Sequence, residues 1–299
     1  MLFIPKYKSR EKKSDMFTMI FSDKKELLQL YNAVSGRNYE DPELLEITTL
    51  KNAIYMSIKN DLSFIIEHRL SLYEHQSTYN PNMPLRILFY VADVYSGLTA
   101  EKNLYSKRQI RIPEPKFIVF YNGEEARPDR EIMRLSDAYI EKSSDVSLDL
   151  QVLVLNINIG HNQELLRACK TLWDYSEYVR RIREYAKTMK IEEAVEKTIT
   201  ECIKEGILEE FLRKNRAEAK KMSIYEYDAE EHIRMEREES FEDGYKDGQN
   251  AERINTERER RRADEEKSRA DEAESRADEA ERKVKELEAE LAKLRSKAN

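Results

Sequence analysis

Asp61, Glu74 and Gln76 have the types and spacing to do chemistry. They fall within NDLSFIIEHRLSLYEHQS, residues 60–77. Strand side chains repeat every two residues, so Leu72, Glu74 and Gln76 should share one face, with Tyr73 and His75 on the other. A carboxylate and an amide that follow Leu70 and Leu72 on an apolar face are poorly placed for simple burial. Burying either without a partner costs on the order of 1–3 kcal/mol or more. A metal ion with its water would be such a partner, and Asp61 supplies a second oxygen ligand if the two segments form a hairpin.

The elements that must position these residues can be followed along the chain. Residues 15–34, DMFTMIFSDKKELLQLYNAV, show mixed helical spacing, interrupted near Ser22 and Asp23, where either could cap a second helix. LLEITTLKNAIYMSI, residues 44–58, gives one or two short strands. Strands over roughly 61–67 and 69–77 follow, with a turn around His68-Arg69. Pro81 and Pro84 mark a loop, after which residues 85–99 carry helical spacing. PKFIVFYNG and LDLQVLVLNINI are near-continuous apolar runs, the pattern of strands inside a sheet covered on both faces. The order is α-β-β-β-α-β-β and then helices, which predicts an α/β (α+β) domain with a mixed central sheet. From 162 to 223 the chain reads helical, with Trp173, Tyr175, Tyr178 and Ile182 among the packed residues and Gly160-His161-Asn162 as a cap.

Polarity is concentrated beyond about residue 214 and gives the chain 37% charged residues and a mean hydropathy of -0.80. Arg262, Arg269 and Arg276 recur every seven residues. Ala263, Ala270, Ala277, Val284 and Leu291 form one apolar column; Ala273, Ala280, Leu287 and Leu294 form another. Such a heptad predicts a long coiled-coil helix and a homo-oligomer, although a single helix held by Glu/Arg pairs would share the pattern. The expected organisation is a basic tail over 1–14, an α/β core over 15–160, a helical extension packed on it over 161–223, a charged linker helix over 224–255 and the coiled coil over 256–299.

No apolar run approaches the roughly 20 residues that span a bilayer, and the amino terminus lacks the order of a secretory signal. Cys169 and Cys202 have no metal-ligand spacing and read as small buried hydrophobes. Together these predict a cytoplasmic protein without membrane contact. A net charge of -7 gives no overall attraction to nucleic acid.

With Asp61, Glu74 and Gln76 on a two-stranded element after a helix, the sequence resembles the PD-(D/E)XK nuclease superfamily, and within it the recombination-promoting nuclease/transposase branch. The resemblance is carried by DMFTMIFSDKKELLQLYNAVSG, the Asp of KNDLSF, the YEHQ strand, the PLRILFYVADVY helix and the GHN segment before LLRACKTLWDYSEYV. It implies a restriction-endonuclease-like αβββαβ core in which Asp61 and Glu74 bind Mg²⁺, and a DNA endonuclease that uses a metal-activated water. Gln76 would stand where the superfamily usually has lysine; an amide carries no charge but can orient water. An upstream helix acid often assists in such sites, and Asp15, Asp23 and Glu26 are the candidates.

Arg86 opens the following helix, either as a phosphate contact or as a solvated side chain. His75 reads as an inward core histidine and His161 as part of a helix cap. Lys6, Lys8, Arg10, Lys12 and Lys13 form a basic cluster able to meet a phosphate backbone. An alternative function is a non-catalytic nuclease-fold interaction protein that recruits a partner through its tail.

Overall fold

The computed structural model describes residues 15–48 and 61–228 (142 and 144 apart), with isolated positions between 252 and 285. Two compact units divide the chain, Met1–Glu231 and His232–Asn299. The basic tail 1–14, most of the linker 224–255 and most of the heptad stretch 256–299 lie outside the described residues. The isolated positions described in the second unit are helical.

Capping chemistry starts the first unit. Asp15 accepts from the Thr18 amide at 2.7 Å and opens α1, Met16–Phe21. Asp23 accepts from the Lys25 and Glu26 amides and opens α2, Lys24–Ser35. The expected interruption near Ser22 and Asp23 is therefore present, and Gly36 ends α2 in the left-handed region, at a φ of 68°.

The sheet follows as β1 (Leu45–Ile47), β2 (Leu62–Ile66) and β3 (Arg69–Gln76), then α3 (Met83–Thr99), β4 (Glu114–Tyr121), β5 (Arg130–Arg134) and β6 (Gln151–Asn156). Its strand order is β1-β2-β3-β4-β6-β5. β1, β2 and β3 are antiparallel neighbours; β4 is parallel to both β3 and β6; β5 runs antiparallel to β6 at the edge. The chain is thus a mixed α/β protein with a six-stranded mixed sheet. β5 was not expected from the sequence. REIMR is an edge strand with charged ends, Ile132 about half exposed and only Met133 buried, too polar to show as a strand by apolar content. The β2–β3 turn falls at Glu67-His68, one residue before the position expected, with Glu67 at a φ of 54°.

Alternate residues of each strand enter different cores. Leu62, Phe64, Tyr73, Phe120 and Leu155 pack with α1, α2 and the later helices. Leu70, Leu72, Val119, Tyr121 and Val154 pack with α3 on the opposite face. The helical part divides into α4 (Gln163–Ala168), α5 (Lys170–Ala186), α6 (Ile191–Glu205) and α7 (Glu209–Lys214), and residues 216–228 are also helical. Trp173, expected among the packed residues, is instead 39% exposed, because α5 turns Leu172, Tyr175 and Tyr178 inward and leaves the indole on the outer face. Cys169 and Cys202 are buried and unbridged, and burial raises their thiols to about 11 and about 12, so both act as inert packing. Among the described residues no helix is long and apolar enough to cross a membrane.

Beyond β4 the chain passes close against the end of β3: the Asn122 amide donates to the Gln76 carbonyl at 3.0 Å. At Gly123 a Cβ atom would lie 2.3 Å from the Ser77 carbonyl oxygen and 2.6 Å from the Tyr121 hydroxyl. Backbone and a packed ring leave no room there. Gly123→Ala should lower stability by about 1–3 kcal/mol, read as a shift in the urea midpoint; an unchanged midpoint would show that the two strand ends can separate freely.

Candidate functional site

Asp61 immediately precedes β2. Because Leu62 pairs with Tyr73, Asp61 lies opposite Glu74 on the neighbouring strand. Each acid's carboxylate accepts a backbone amide of the other segment: the Asp61 amide donates to Glu74 Oε1 at 3.0 Å, and the His75 amide donates to Asp61 Oδ2 at 2.8 Å. Glu74 is fully buried and Asp61 nearly so. The alternation expected from a strand holds, with Leu72 in the α3 core, Glu74 facing Arg86 of α3, and Tyr73 and His75 on the other side of the sheet.

Arg86, one turn into α3, lies 3.5 Å from Glu74 Oε2 and donates to the Tyr90 hydroxyl through Nη2 at 2.8 Å. Burial opposes the charged guanidinium, but Tyr90, Glu74 and Asp61 hold its pKa above the usual arginine value. Gln76 ends β3, and its Nε2 lies 2.7 Å from the Met83 sulfur in the first turn of α3. Asp61, Glu74, Gln76 and Arg86 therefore gather where β3 meets α3.

Comparison of the chain with protein-family models, curated proteins and solved structures found no match. The site must be read from its own geometry.

That geometry distributes the upstream helix acids elsewhere. Asp23 caps α2, and Glu26 accepts from the Thr171 hydroxyl at 2.5 Å. Asp15 lies against His75, on the sheet face away from Glu74. Among the described residues no group of three or more His, Cys, Asp or Glu side chains could hold a metal. Asp61 and Glu74 still offer a wholly oxygen donor pair at one point of the sheet. Mg²⁺ commonly takes only one or two carboxylates, so in donor type and number the pair would suit such an ion, although Glu74 is fully buried.

His75 is the inward histidine expected, but its partners were not foreseen. Nδ1 contacts Asp15 Oδ2 at 3.0 Å, Nε2 contacts the Tyr175 hydroxyl at 3.0 Å, and the ring stacks on Phe17 with centroids 4.9 Å apart. Asn122 donates to the same Tyr175 hydroxyl at 3.3 Å. Period-two patterning puts His75 on this face, yet nothing in the sequence pairs it with residues sixty positions before and a hundred after. His161 contacts Asp129 Oδ1 at 2.6 Å, just before Asn162 at the start of α4.

Burial would raise the Asp15 pKa, but the His75 charge and the hydrogen bonds from His75 and Thr18 bring it down to about 2. For His75 burial pulls downward, while Asp15, Glu226 and Asp61 together lift the pKa above its ordinary value. A raised histidine contributes stability in full below about pH 6.5, lost as pH climbs through the higher folded value. A depressed carboxylate contributes above about pH 4, lost as pH falls toward 2. Urea denaturation should therefore show greatest stability between those limits. Asp15→Asn should weaken the acid limb, to which other carboxylates with lowered pKa such as Glu177 and Glu196 also contribute, and move the alkaline limb to lower pH; an unaltered profile would show that this pair does not set it.

Proposed function

We propose that this chain is a Mg²⁺-dependent DNA endonuclease of PD-(D/E)XK type, of the recombination-promoting nuclease/transposase branch. The observation that carries the reading is the facing of Asp61 and Glu74 across β2 and β3, which brings two carboxylates to one point. The order α2-β1-β2-β3-α3-β4 supports it, since an antiparallel three-strand meander joined through a helix to a parallel fourth strand is the αβββαβ arrangement that the resemblance implies.

Asp61 and Glu74 would hold the ion. The chemistry such an ion would supply there is a lowered pKa for its bound water and an offset to the charge on a scissile phosphate. Gln76, on the same face as Glu74, donates and accepts hydrogen bonds and would orient the attacking water. Arg86 would turn from Glu74 to a phosphate oxygen, a planar donor set suited to that anion. The His75 amide fixes Asp61, and the buried ring of His75 fixes the strand that carries the amide.

Purified protein should nick supercoiled plasmid with Mg²⁺ or Mn²⁺. Asp61→Ala and Glu74→Gln should each reduce the rate by roughly a hundredfold or more while keeping the native circular-dichroism spectrum. Equal nicking by wild type and both variants would assign the activity to a contaminant. Absence of both nicking and Glu74-dependent metal binding by calorimetry would leave the alternative, a non-catalytic scaffold acting through its tail.

A further inference from the structure

The α3–β4 connection, residues 100–113, builds a surface at the end of the sheet opposite Gln76. Its run EKNLYSKRQIRI holds four cations, Lys102, Lys107, Arg108 and Arg111, against one acid, Glu101, in a chain whose net charge is -7. All four cations are exposed, and none of their side chains forms an ion pair or hydrogen bond among the described residues. Elsewhere cations are matched to acids: Arg134 to Asp149, Arg181 to Glu177, and Lys220 to Glu196. Between Lys102 and Lys107 the ring of Tyr105 is 98% exposed and Leu104 is 68% exposed. The connection has a set shape. The Tyr105 amide donates to Asn103 Oδ1 at 3.0 Å, the Arg108 amide to Ser106 Oγ at 3.2 Å, and the Tyr95 hydroxyl to the Pro113 carbonyl at 2.7 Å.

Unmatched cations gathered on an acidic molecule make a local positive field, which a polyanion neutralises with release of its counterions. The cations alone would suit any polyanion. The exposed ring set among them narrows the choice, because stacking of bases on aromatic side chains between phosphate contacts is the general way to hold a single strand. In a duplex the base faces are covered by their neighbours, and Tyr105 would find none to stack on. We propose that this connection binds single-stranded DNA, with its cations on phosphates and a base stacked on Tyr105. Contacts to phosphates and base faces carry no sequence preference. The choice of DNA over RNA rests on the nuclease reading; the strand binding does not, since it uses neither the acids nor a metal.

Binding would be read on the full-length protein in EDTA, by fluorescence anisotropy of a labelled oligodeoxythymidylate. Its duplex with oligodeoxyadenylate and an oligouridylate serve as the other probes. Saturable binding of the single strand is expected, tighter than the duplex and at least as tight as the RNA. Tyr105→Ala should weaken the single strand roughly tenfold and leave the duplex unchanged. Lys107→Gln combined with Arg108→Gln should weaken every probe and reduce the slope of log K against log salt by about 1.4, at ~0.7 per phosphate contact. No single-strand binding, or a duplex held as tightly, overturns the proposal. So does binding that the variants leave unchanged, which belongs to another part of the chain. An effect of the charge variant alone would mean backbone contact without stacking and overturns it too. Tighter RNA binding overturns the choice of DNA. An oligoglutamate that displaces the strand as well as unlabelled DNA does would make this an acidic-peptide site instead. Strand binding without any nicking in Mg²⁺ would sink the nuclease reading alone; nicking without Tyr105-dependent binding would sink this inference alone.

Discussion

A carboxylate with no exposed surface constrains everything near it, and Glu74 is such a group. Leaving it uncompensated would cost several kcal/mol, more than most single contacts return. Its Oε1 takes the Asp61 amide, and Oε2 faces the Arg86 guanidinium. The first of these exists only in one hairpin register, the one that pairs Leu62 with Tyr73. A slip by one residue would turn Glu74 into the aromatic face occupied by Phe17, Phe64 and Phe120. The buried acid thus selects the register, and the register brings Asp61 opposite it. The position that looks chemically useful is also the one that makes the hairpin unique.

The next residue along β3 connects that position to the other face of the sheet. The His75 backbone amide holds Asp61, while its ring reaches Asp15 at the start of α1 and Tyr175 in the middle of α5. α1 has only six residues, too short for a helix to persist by itself, and it is fixed by its Asp15 cap and by burial of Met16, Phe17, Ile20 and Phe21. One side chain thus serves as helix cap and as counter-ion to a buried histidine. Tyr175 brings α5 into the same chain of contacts, and Asn122 extends it to the end of β4. Displacing α5 would be felt at Asp61 through two hydrogen bonds and one peptide unit.

What could be read from the sequence, and what could not, follows from how local each signal is. Strand periodicity alone places Glu74 and His75 on opposite faces, and helix-cap chemistry alone locates the break before Lys24. Apolar runs reveal β4 and β6 because both faces of those strands are covered. β5 escapes because an edge strand buries little, and Trp173 was misplaced because large aromatic residues are usually buried. The Asp15–His75–Tyr175 chain joins residues 60 and 100 positions from the histidine, and no periodicity encodes a contact at such separations. Likewise, the Arg86–Glu74 approach depends on how α3 lies across β3. The acids at the site were legible as residue types on a strand; their cation and their supporting hydrogen bonds belong to tertiary packing.

The end of the sheet where these groups gather has a further property. Gln76, Tyr121 and Asn156 lie at one level by strand register, at the carboxyl ends of the parallel strands β3, β4 and β6. Open α/β sheets bind ligands at such ends. Here the loops beyond the strands are held by neutral amides: Asn156 Nδ2 donates to the Arg127 carbonyl and Asn158 Nδ2 to the Gly123 carbonyl, each at 2.9 Å. Arg183 adds a bond to the Asn122 carbonyl. Bonds of this kind fix the backbone without bringing a further carboxylate beside Asp61 and Glu74. The opposite end of the sheet is built differently, with Leu104, Tyr105 and Ile140 exposed in long connections. A rim already tied down need not be ordered when a ligand arrives, which lowers the entropic cost of binding at that end. The contrast between the two ends sets the rim beside Glu74 apart from the rest of the sheet on grounds independent of residue type.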